Sequence, residues 1–393
     1  MTNIAQCSAH GGIMKNKLAA RVSLFAANGS VYALNSLYYN FIQIYISRYH
    51  PDNVAGILLA LGPLVSIFAP ILWGYAADRA KSKNAVLAAV ILASGVFYFL
   101  LMFNQSFIYL AVMLVLCMFF MSPFGGTVDI ITLEYTAENN MAYGPYRLTG
   151  TLVYGIIPMI LTGFTDKNIN IIFYAYLVMA LIAAASTLTA PKVAGHGSGQ
   201  KKTSLIPIFK DGTLMFIFFI IAVSQFVWAC YLNFFPGYLT SLGHSDTLWG
   251  VNVFVTIIGE IPFFLAFNKL FDRFGLKKMI LVSLILSIVR YAGLALFTSS
   301  HLILLIGLVT GFAVTVFTYC GSVYINKHVA PENKASANNL MYALGNGIPK
   351  VLAGVIGGSM NAALGYTPSM LICSALCIAA AAAFVFTAKR MKL

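Results

Sequence analysis

Apolar stretches of about twenty residues recur along the whole chain, and this repetition restricts its fold more than any other feature. A membrane-spanning helix needs about 20 mostly apolar residues. Of the 393 residues, 60% are hydrophobic and only 9% are charged, whereas an ordinary soluble protein has about 25% charged residues. Most of the surface must therefore face lipid, and the pattern predicts an all-α membrane protein with no sizeable soluble domain.

The same pattern places twelve predicted spans along the chain, with turn signals between most of them. His50-Pro51-Asp52-Asn53 is one such signal. Residues 1–17 lack the apolar region of a cleavable signal peptide, so we expect the first span to be permanent. The predicted spans are 18–48, 53–77, 83–103, 107–136, 145–165, 170–190, 212–242, 246–271, 277–298, 301–326, 335–360 and 366–388.

The net charge of +13 reflects topology rather than a nucleic-acid partner. An even number of spans puts both termini on the same side of the membrane. If that side is the cytoplasm, most of the 24 Lys and Arg residues lie in or near cytoplasmic segments, whereas Arg48 and Lys167 lie outside. This positive-inside distribution predicts an N-in, C-in protein of the bacterial inner membrane. The cytoplasmic set includes Lys15, Lys17, Arg21, Arg79, Lys81, Lys83, Lys201, Lys202, Arg273, Lys277, Lys278, Lys389 and Arg390.

A repeat at a constant offset of 194 residues divides the chain into two halves. The short, basic and glycine-rich stretch 191–211 predicts a cytoplasmic linker between them. We therefore expect two pseudo-symmetric six-helix halves, 1–190 and 212–393, with a substrate site near the membrane midplane between the halves. The offset aligns His50 with His244, Asp52 with Asp246, Gly56 with Gly250, Asp78 with Asp272, Arg79 with Arg273 and Lys83 with Lys277.

Each half has an acidic residue followed directly by arginine in the loop after its second span. The first copy contains Gly74, Asp78 and Arg79, and the second contains Asp272 and Arg273. This pattern resembles the signature loop of the major facilitator superfamily. The resemblance implies a cytoplasmic conformational latch, in which the acids pair with basic groups or cap a helix end in one conformation and release in the other. The alternative is that these arginines only follow the positive-inside rule.

Five charged residues lie inside the predicted spans. A charge near the bilayer centre costs about 2.5–3.5 kcal/mol on insertion scales, so such residues are usually paired and functional. Two of the five are acids and three are bases, which are able to neutralise one another across the core. The five are Asp129, Arg147, Glu260, Arg290 and Lys350.

Residues 123–150 carry the most specific resemblance. They contain Asp129 on the fourth span, followed by the motif YGPYRLTG at 143–150. This hairpin resembles that of lactose permease and its relatives, the phenylpropionate permeases and the nucleoside:proton symporters. In that group an acid on the fourth span faces the arginine, and in the sugar permease the pair contacts substrate. The resemblance therefore implies that Asp129 and Arg147 bind the solute.

Spans 7 to 10 extend this resemblance and indicate where a proton binds. Residues 235–260 are similar to the same families, in which a glutamate on span 8 couples substrate to proton, and Arg290 matches their arginine on span 9. Lactose permease also has a His and a Glu on span 10, whereas 311–321 contain neither. Proton chemistry must then rest on Glu260 or Asp129; a fixed buried ion pair or sodium coupling is the alternative. With Lys350 from the intramembrane charges, the candidate coupling residues are Glu260, Arg290 and Lys350.

Polar and aromatic residues form stripes on spans 1, 7 and 11. On span 1 they recur every three or four residues, which places them on one helix face. Amides that face lipid are costly unless they have partners, so we expect the stripes to face the interior. Together they suit a sugar or nucleoside, although hydrogen bonding between helices is the alternative for any single residue. The candidate binding residues beside Asp129 and Arg147 are Tyr32, Asn35, Tyr39, Gln225, Trp228, Asn233, Tyr342 and Asn346.

The eleventh span contains its own irregularity. Residues 345–350 include two glycines and a proline immediately before a lysine. Proline interrupts helical hydrogen bonding, so this segment is expected to weaken or kink the helix. Such broken helices often expose backbone groups near a transport site, and close packing through small residues is the alternative.

These features predict a secondary active transporter, namely a proton-coupled symporter that imports a saccharide or nucleoside by alternating access. The alternatives are an uncoupled or sodium-coupled facilitator and a drug or metabolite exporter by proton antiport, although the Gly-Pro-Gly-Gly type run of exporters is absent from span 5. A membrane enzyme would need a catalytic cluster, and the sequence shows no nucleophile–base pair, metal motif or phosphate loop. We expect a monomer in membrane lipid, without cofactor, metal or nucleic-acid partner.

Overall fold

The structure, a computed structural model, describes residues 2–193 and 206–388, which form helices joined by short turns. The glycine-rich part of the predicted linker, 194–205, and the basic residues Lys201, Lys202, Lys389 and Arg390 lie outside the described residues. The helices are α1 (Thr2–Tyr49), α2 (Asp52–Arg79), α3 (Lys83–Leu100), α4 (Phe107–Met121), α5 (Phe124–Glu138), α6 (Gly144–Thr165), α7 (Ile171–Thr189), α8 (Ile206–Lys210), α9 (Gly212–Ser241), α10 (Asp246–Leu296), α11 (Ser300–Thr310), α12 (Ala313–His328), α13 (Lys334–Leu340), α14 (Ile348–Leu364) and α15 (Tyr366–Ala388).

Eleven helical segments of the described chain are long and apolar enough to cross a membrane. This finding confirms the all-helical class that the apolar pattern predicts. The first predicted span, 18–48, lies in α1, which is not among the eleven. The count of twelve spans and the N-in, C-in orientation remain predictions.

Glycine interrupts the helical backbone between two predicted spans. The spans predicted at 246–271 and 277–298 are separate helices that meet at a kink at Gly275, and the label α10 covers both. The φ of Gly275 is 71°, a left-handed conformation that glycine adopts without steric cost. Between α13 and α14, Met341–Gly347 form a π-helix. This irregular segment overlaps the stretch at which the sequence predicts a weakened helix, and π-helices are frequent at functional sites.

The described residues pack as two compact units, which differ from the two halves of the repeat. The six-helix halves 1–190 and 212–393 remain a prediction. Unit 1 comprises residues 2–38, 68–157 and 170–193, and unit 2 comprises residues 39–67, 158–169 and 206–388.

The core of unit 1 lies between α3 and α7. Tyr98 stacks on Tyr176 with the ring centroids 4.2 Å apart, and both rings are fully buried. At the start of α3, the Asn84 side chain donates to the carbonyl oxygens of Thr187 and Pro191 and accepts from the Val193 backbone N–H. These bonds satisfy backbone groups at the end of α7 and fix the chain where it leaves this helix.

The core of unit 2 is built on α9 and α10. Asp211 caps α9 by accepting a hydrogen bond from the Leu214 backbone N–H at 3.0 Å. Further along α9, the Tyr231 ring lies 4.7 Å from Phe235 and 5.7 Å from Trp249 of α10. The indole N–H of Trp249 donates to a backbone carbonyl of α1, so this large buried ring has a polar partner.

In unit 2, α2 and α14 cross with their backbones in direct contact. A side chain at Gly56 would overlap the carbonyl oxygen of Gly354, and one at Gly358 would overlap that of Asp52. Small residues let membrane helices approach this closely. At the same crossing the Asp52 carboxylate accepts a hydrogen bond from the Tyr366 hydroxyl at the start of α15.

A second crossing in unit 2 joins α10 to the end of α6. A side chain at Gly250 would overlap the carbonyl oxygen of Pro158. One turn earlier, Asp246 forms a 2.7 Å ion pair with Arg48 and accepts a hydrogen bond from the Thr165 hydroxyl at 3.2 Å. The Asp246 carboxylate at this crossing is therefore held by a hydroxyl of α6 and by Arg48 of α1, which also donates to the Thr165 carbonyl oxygen.

The two crossings use residues that the 194-residue repeat aligns. Asp52 and Gly56 begin α2, and Asp246 and Gly250 occupy the same places in α10. In each copy the glycine permits backbone contact and the aspartate, one turn before it, has a side-chain partner from another helix. The repeat therefore has a structural role, which the aligned letters alone do not reveal.

Candidate solute-binding site

In unit 1, the predicted Asp129 and Arg147 are brought together by the ring of Tyr32. The Tyr32 hydroxyl donates to the Asp129 carboxylate at 3.3 and 3.5 Å. The guanidinium carbon of Arg147 lies 4.2 Å from the centre of the same ring, and its Nη1 donates to the Thr151 hydroxyl at 2.9 Å. A second hydroxyl, that of Tyr143, also donates to Asp129. The acid and the base therefore share one aromatic ring.

The local sequence makes room for this arrangement. A side chain at Gly150 would overlap the Tyr32 ring, so the glycine of the motif at 143–150 is required by packing. Arg147 and Thr151 are one turn apart on α6, the spacing at which helical side chains meet. Tyr143 immediately precedes α6, where burial, followed by the negative charge of Asp129, raises the pKa of its hydroxyl. The hydroxyl therefore stays protonated and acts as a donor to the carboxylate.

Sequence reasoning missed two members of this cluster. Tyr143 lies within the motif that identifies Arg147, and its position four residues earlier was a usable signal. Thr151 follows Arg147 by the same interval. The described cluster contains a carboxylate, two tyrosine hydroxyls and a guanidinium, which are the donors and acceptors that bind hydroxyl groups.

For two further predicted residues of α1, the contacts that the structure describes do not involve this cluster. The Asn35 side chain donates to the backbone of its own helix, at Val31, over 3.3 Å. Tyr39 belongs to unit 2 and is 38% exposed. Their assignment to the solute remains a prediction.

In unit 2, the predicted Arg290 is buried against aromatic rings. Its side chain is 1% exposed, and its guanidinium carbon lies 4.9 Å from the centre of Trp228 and 4.6 Å from that of Tyr231. Nη1 donates to the Thr310 carbonyl oxygen at 3.4 Å, whereas Nε and Nη2 have no hydrogen-bond partner among the described residues. A buried donor without a partner costs about 1–3 kcal/mol or more for a charged group, so these two atoms require an explanation.

A polar row on α10 adds a residue that the sequence reasoning missed. The Asn252 amide donates to the Tyr231 hydroxyl at 2.5 Å and thereby fixes the ring beneath Arg290. Asn252, Thr256 and Glu260 are four residues apart, so they lie on one side of the helix. This spacing was visible in the sequence and would have identified Asn252.

The remaining predicted residues of unit 2 differ in exposure. Gln225 is buried, Asn233 and Glu260 are partly buried, and Tyr342 is 55% exposed. Asn346, in the π-helix, has an amide nitrogen without a hydrogen-bond partner. Lys350 follows on α14 and is partly buried. Within residues 2–193 and 206–388 its ammonium group has no ion pair or hydrogen bond.

The predicted latch residues lie at exposed positions. The guanidinium carbon of Arg79 lies 3.8 Å from the centre of the Tyr75 ring. The guanidinium carbon of Arg273 lies 5.5 Å from the centre of the Phe274 ring. The remaining latch residues, Gly74, Asp78 and Asp272, are exposed. The structure gives the two arginines aromatic neighbours, and the switching role of the set remains a prediction.

Comparison with known proteins identifies the family. The family model described as "MFS_1 like family" matches residues 30–367. The chain belongs to the MFS_1-like family. Among curated relatives of this family member, the nucleoside permease NupG of Escherichia coli is 23% identical over 80% of both chains. The maltose permease of Geobacillus stearothermophilus is 26% identical over 77% of both, and the Bacillus subtilis transporter YwbF is 26% identical over 85% of this chain and 83% of its own.

Solved structures show the fold. The crystal structure of the nucleoside transporter NupG has a TM-score of 0.82 with 19% identity, and the match covers 93% of this chain and 98% of that one. A bacterial homologue of the human lysosomal transporter Spinster, in an inward-facing and occupied conformation, has a TM-score of 0.72. The match covers 94% of this chain and 97% of that one. This MFS_1-like protein is therefore an integral, multi-pass membrane transporter with the fold of NupG, and it is not an enzyme.

Proposed function

We propose that this transporter is a proton-coupled symporter that imports a small polar organic solute, a saccharide or a nucleoside, by alternating access. The observation that carries the proposal is the cluster of Tyr32, Asp129 and Arg147 in unit 1. Its carboxylate and guanidinium match the acceptor and donor groups of hydroxylated molecules. Relatives named as a maltose permease and a nucleoside permease support the same solute classes.

Asp129 and Arg147 serve as the solute-binding pair in this proposal. The Tyr32 ring keeps the guanidinium of Arg147 in place by cation–π attraction and holds the carboxylate by its hydroxyl. Such preorganised groups lose little side-chain freedom when a solute binds.

Glu260 serves as the proton site. It lies on α10 in register with Asn252 and Thr256, and residues 311–321 contain no acid or His that would take over this role. Its carboxyl group lies inside a predicted membrane span, where an ionisable side chain is usually functional. Uncoupled or sodium-coupled transport is the alternative in which Glu260 does not titrate.

Alternating access requires that each side of the protein close in turn. With both termini in the cytoplasm of a bacterial cell, the crossings at Gly56 and Gly250 lie at the outer side of the inner membrane. Their backbone contacts in unit 2 support an outer closure fastened by Asp52 and Asp246. The predicted latch at Asp78 and Asp272 then serves the cytoplasmic side. This assignment follows from the proposed topology.

The test uses purified protein in liposomes that contain a pH-sensitive dye. Sugars and nucleosides are added outside, and lumen pH and solute counterflow are measured for the wild type and Glu260→Gln. We expect solute-dependent acidification in the wild type, and counterflow without acidification in Glu260→Gln. Glu138→Gln, at an exposed end of α5, is the matched control and should behave as the wild type.

Two results would contradict this proposal in different ways. Solute uptake without proton movement in the wild type would leave a facilitator or a sodium-coupled carrier and make Glu260 structural. Absence of binding and counterflow for every sugar and nucleoside would reject the solute classes themselves.

A further inference from the structure

The charges inside the membrane segments do not balance. Asp129 and Arg147 neutralise each other in unit 1, but unit 2 contains Glu260 together with the two bases Arg290 and Lys350. Whichever base Glu260 balances, one positive charge remains without a carboxylate. The other acids of the sequence lie near helix ends or in loops: Asp52, Asp78, Glu134, Glu138, Asp166, Asp211, Asp246, Asp272 and Glu332.

Two of those acids already have ionic partners. Asp246 pairs with Arg48 at 2.7 Å, and Glu134 pairs with Lys83 at 2.6 Å. Neither is therefore available to compensate a second cation. An uncompensated charge at membrane depth costs about 2.5–3.5 kcal/mol on insertion scales, so a transporter retains one only if it has a use.

The free donors of Arg290 have the geometry of a carboxylate site. Nε and Nη2 form one edge of the planar guanidinium, and in the part of the chain that the structure describes neither has an acceptor, although the side chain is 1% exposed. Two parallel N–H bonds from one edge match the two oxygens of a carboxylate. Nη1 is already used by the Thr310 carbonyl oxygen, and the Trp228 and Tyr231 rings hold the guanidinium from its face.

Contacts with α9 place Lys350 at the level of Arg290 along that helix. Ile221 of α9 is next to Gly345 in the π-helix, and the Cys230 thiol of α9 is 3.9 Å from the Ala353 carbonyl oxygen of α14. This pairing places Lys350 opposite residues 226–228 of α9, and Trp228 is one of the rings that contacts Arg290. Both cations therefore lie at one level of unit 2, on helices that pack against α9.

We propose that the transported solute carries a carboxylate, and that Lys350 and the free edge of Arg290 receive it. This inference rests on the proposed function and specifies its solute class: an anionic relative of a sugar or nucleoside, such as a uronic acid. The carboxylate supplies the missing negative charge of unit 2 and the acceptors for the two free N–H groups of Arg290. A neutral solute would leave both the charge and the two N–H donors without partners.

The experiment compares matched pairs of solutes that differ only in charge. Each hexose and each nucleoside is paired with the analogue in which its terminal CH₂OH is oxidised to a carboxylate. Affinities at neutral pH are measured by competition in counterflow and by thermal stabilisation of the detergent-solubilised protein. We expect the carboxylate of at least one pair to bind about ten- to hundredfold more tightly than the alcohol, the range for hydrogen bonds to charged groups.

The variants assign that preference to residues. Lys350→Gln should reduce the preference about tenfold or more, and Lys350→Arg, which restores the charge, should retain most of it. Arg290→Gln should act in the same direction as Lys350→Gln. Lys210→Gln removes a positive charge from an exposed position at the end of α8 and is the matched control. It should leave the preference unchanged.

Each outcome separates this inference from the function on which it rests. If neutral sugars or nucleosides bind and move while their carboxylates do not, the inference is wrong and the proposed function stands. If a carboxylate is preferred but Lys350→Gln and Arg290→Gln keep the preference, the anion binds elsewhere and this site is refuted. If neither member of any pair binds, the proposed solute classes fail together with it. The preference of the wild type is decisive even where a variant does not fold.

Discussion

Arg147 and Arg290 lie inside predicted spans and each rests on a tyrosine ring, yet their surroundings are opposite. Arg147 in unit 1 lies 4.2 Å from the Tyr32 ring centre, and a carboxylate, Asp129, is hydrogen-bonded to the hydroxyl of that ring. Arg290 in unit 2 lies 4.6 Å from the Tyr231 ring centre, and the hydroxyl of that ring accepts from an amide, Asn252. The cation is thus balanced by a charge in unit 1 and by aromatic faces in unit 2.

This difference shows which cluster is complete without a ligand. Cation–π attraction contributes about 0.5–2 kcal/mol, which does not replace a buried counter-charge and two missing hydrogen bonds. The unit 1 cluster has internal partners for its acid and its base. The unit 2 cluster lacks them, and its stability alone does not explain why an arginine occupies this position. The comparison makes unit 2 the place where the charge of the solute matters most.

The largest effect is expected from removing the arginine of the balanced cluster. Arg147→Ala leaves Asp129 without its counter-charge and removes the donors for the solute. Binding should weaken by more than about a hundredfold, the upper range for charged hydrogen bonds, while the protein remains folded and extractable. Equilibrium binding and size-exclusion chromatography measure the two properties. Retained affinity would show that the solute does not use this cluster.

The arginine of the unbalanced cluster should separate binding from stability. Arg290→Met should weaken binding about ten- to hundredfold. Its unfolding temperature should stay the same or rise, because an apolar side chain replaces a buried charge that lacks acceptors. Arg147→Met, measured in parallel, should not be stabilised, because its guanidinium has a partner at Thr151. A strong drop in unfolding temperature for Arg290→Met alone would reverse the comparison.

The smallest effect concerns the second hydroxyl on Asp129. Tyr143→Phe removes one hydrogen bond to the carboxylate and keeps the ring, so solute affinity should fall about three- to tenfold. The same substitution in an Asp129→Asn background should have little further effect, because the two residues act through one contact. Full additivity of the two changes would mean that Tyr143 acts on the solute independently of Asp129.

Local patterns predicted the elements of the fold well. The span at 107–136 and the paired spans at 246–298 reflect apolar length, which is a property of the chain itself. The juxtaposition of Asp129 and Arg147 was implied by a hairpin motif. The helical spacing on α1 predicts Tyr32 as a site residue. Its place between the two charges depends on packing against Gly150 of α6, and the spacing of residues on a single helix does not reveal such a contact.

Other features depend on contacts between distant segments. The repeat at Asp52 and Asp246 was visible, but its two different partners, Tyr366 and Arg48, come from helices far away in the sequence. Likewise, the burial of Arg290 between two rings follows from how α9 and α10 pack. The position of Arg290 within an apolar stretch indicates that its charge lies in the membrane. Only the packing of the helices reveals which of its N–H donors lack an acceptor among the described residues.

The π-helix at Met341–Gly347 has a mechanical consequence for everything that follows it. A π-helix contains more residues per turn than an α-helix, so rewinding this segment to α would lengthen it and turn α14 about its axis. Such a turn would carry Lys350 away from its present direction and move Gly354 off the backbone of α2 at the same time. The winding of these seven residues therefore couples the direction of the Lys350 side chain to the opening of the crossing between α2 and α14.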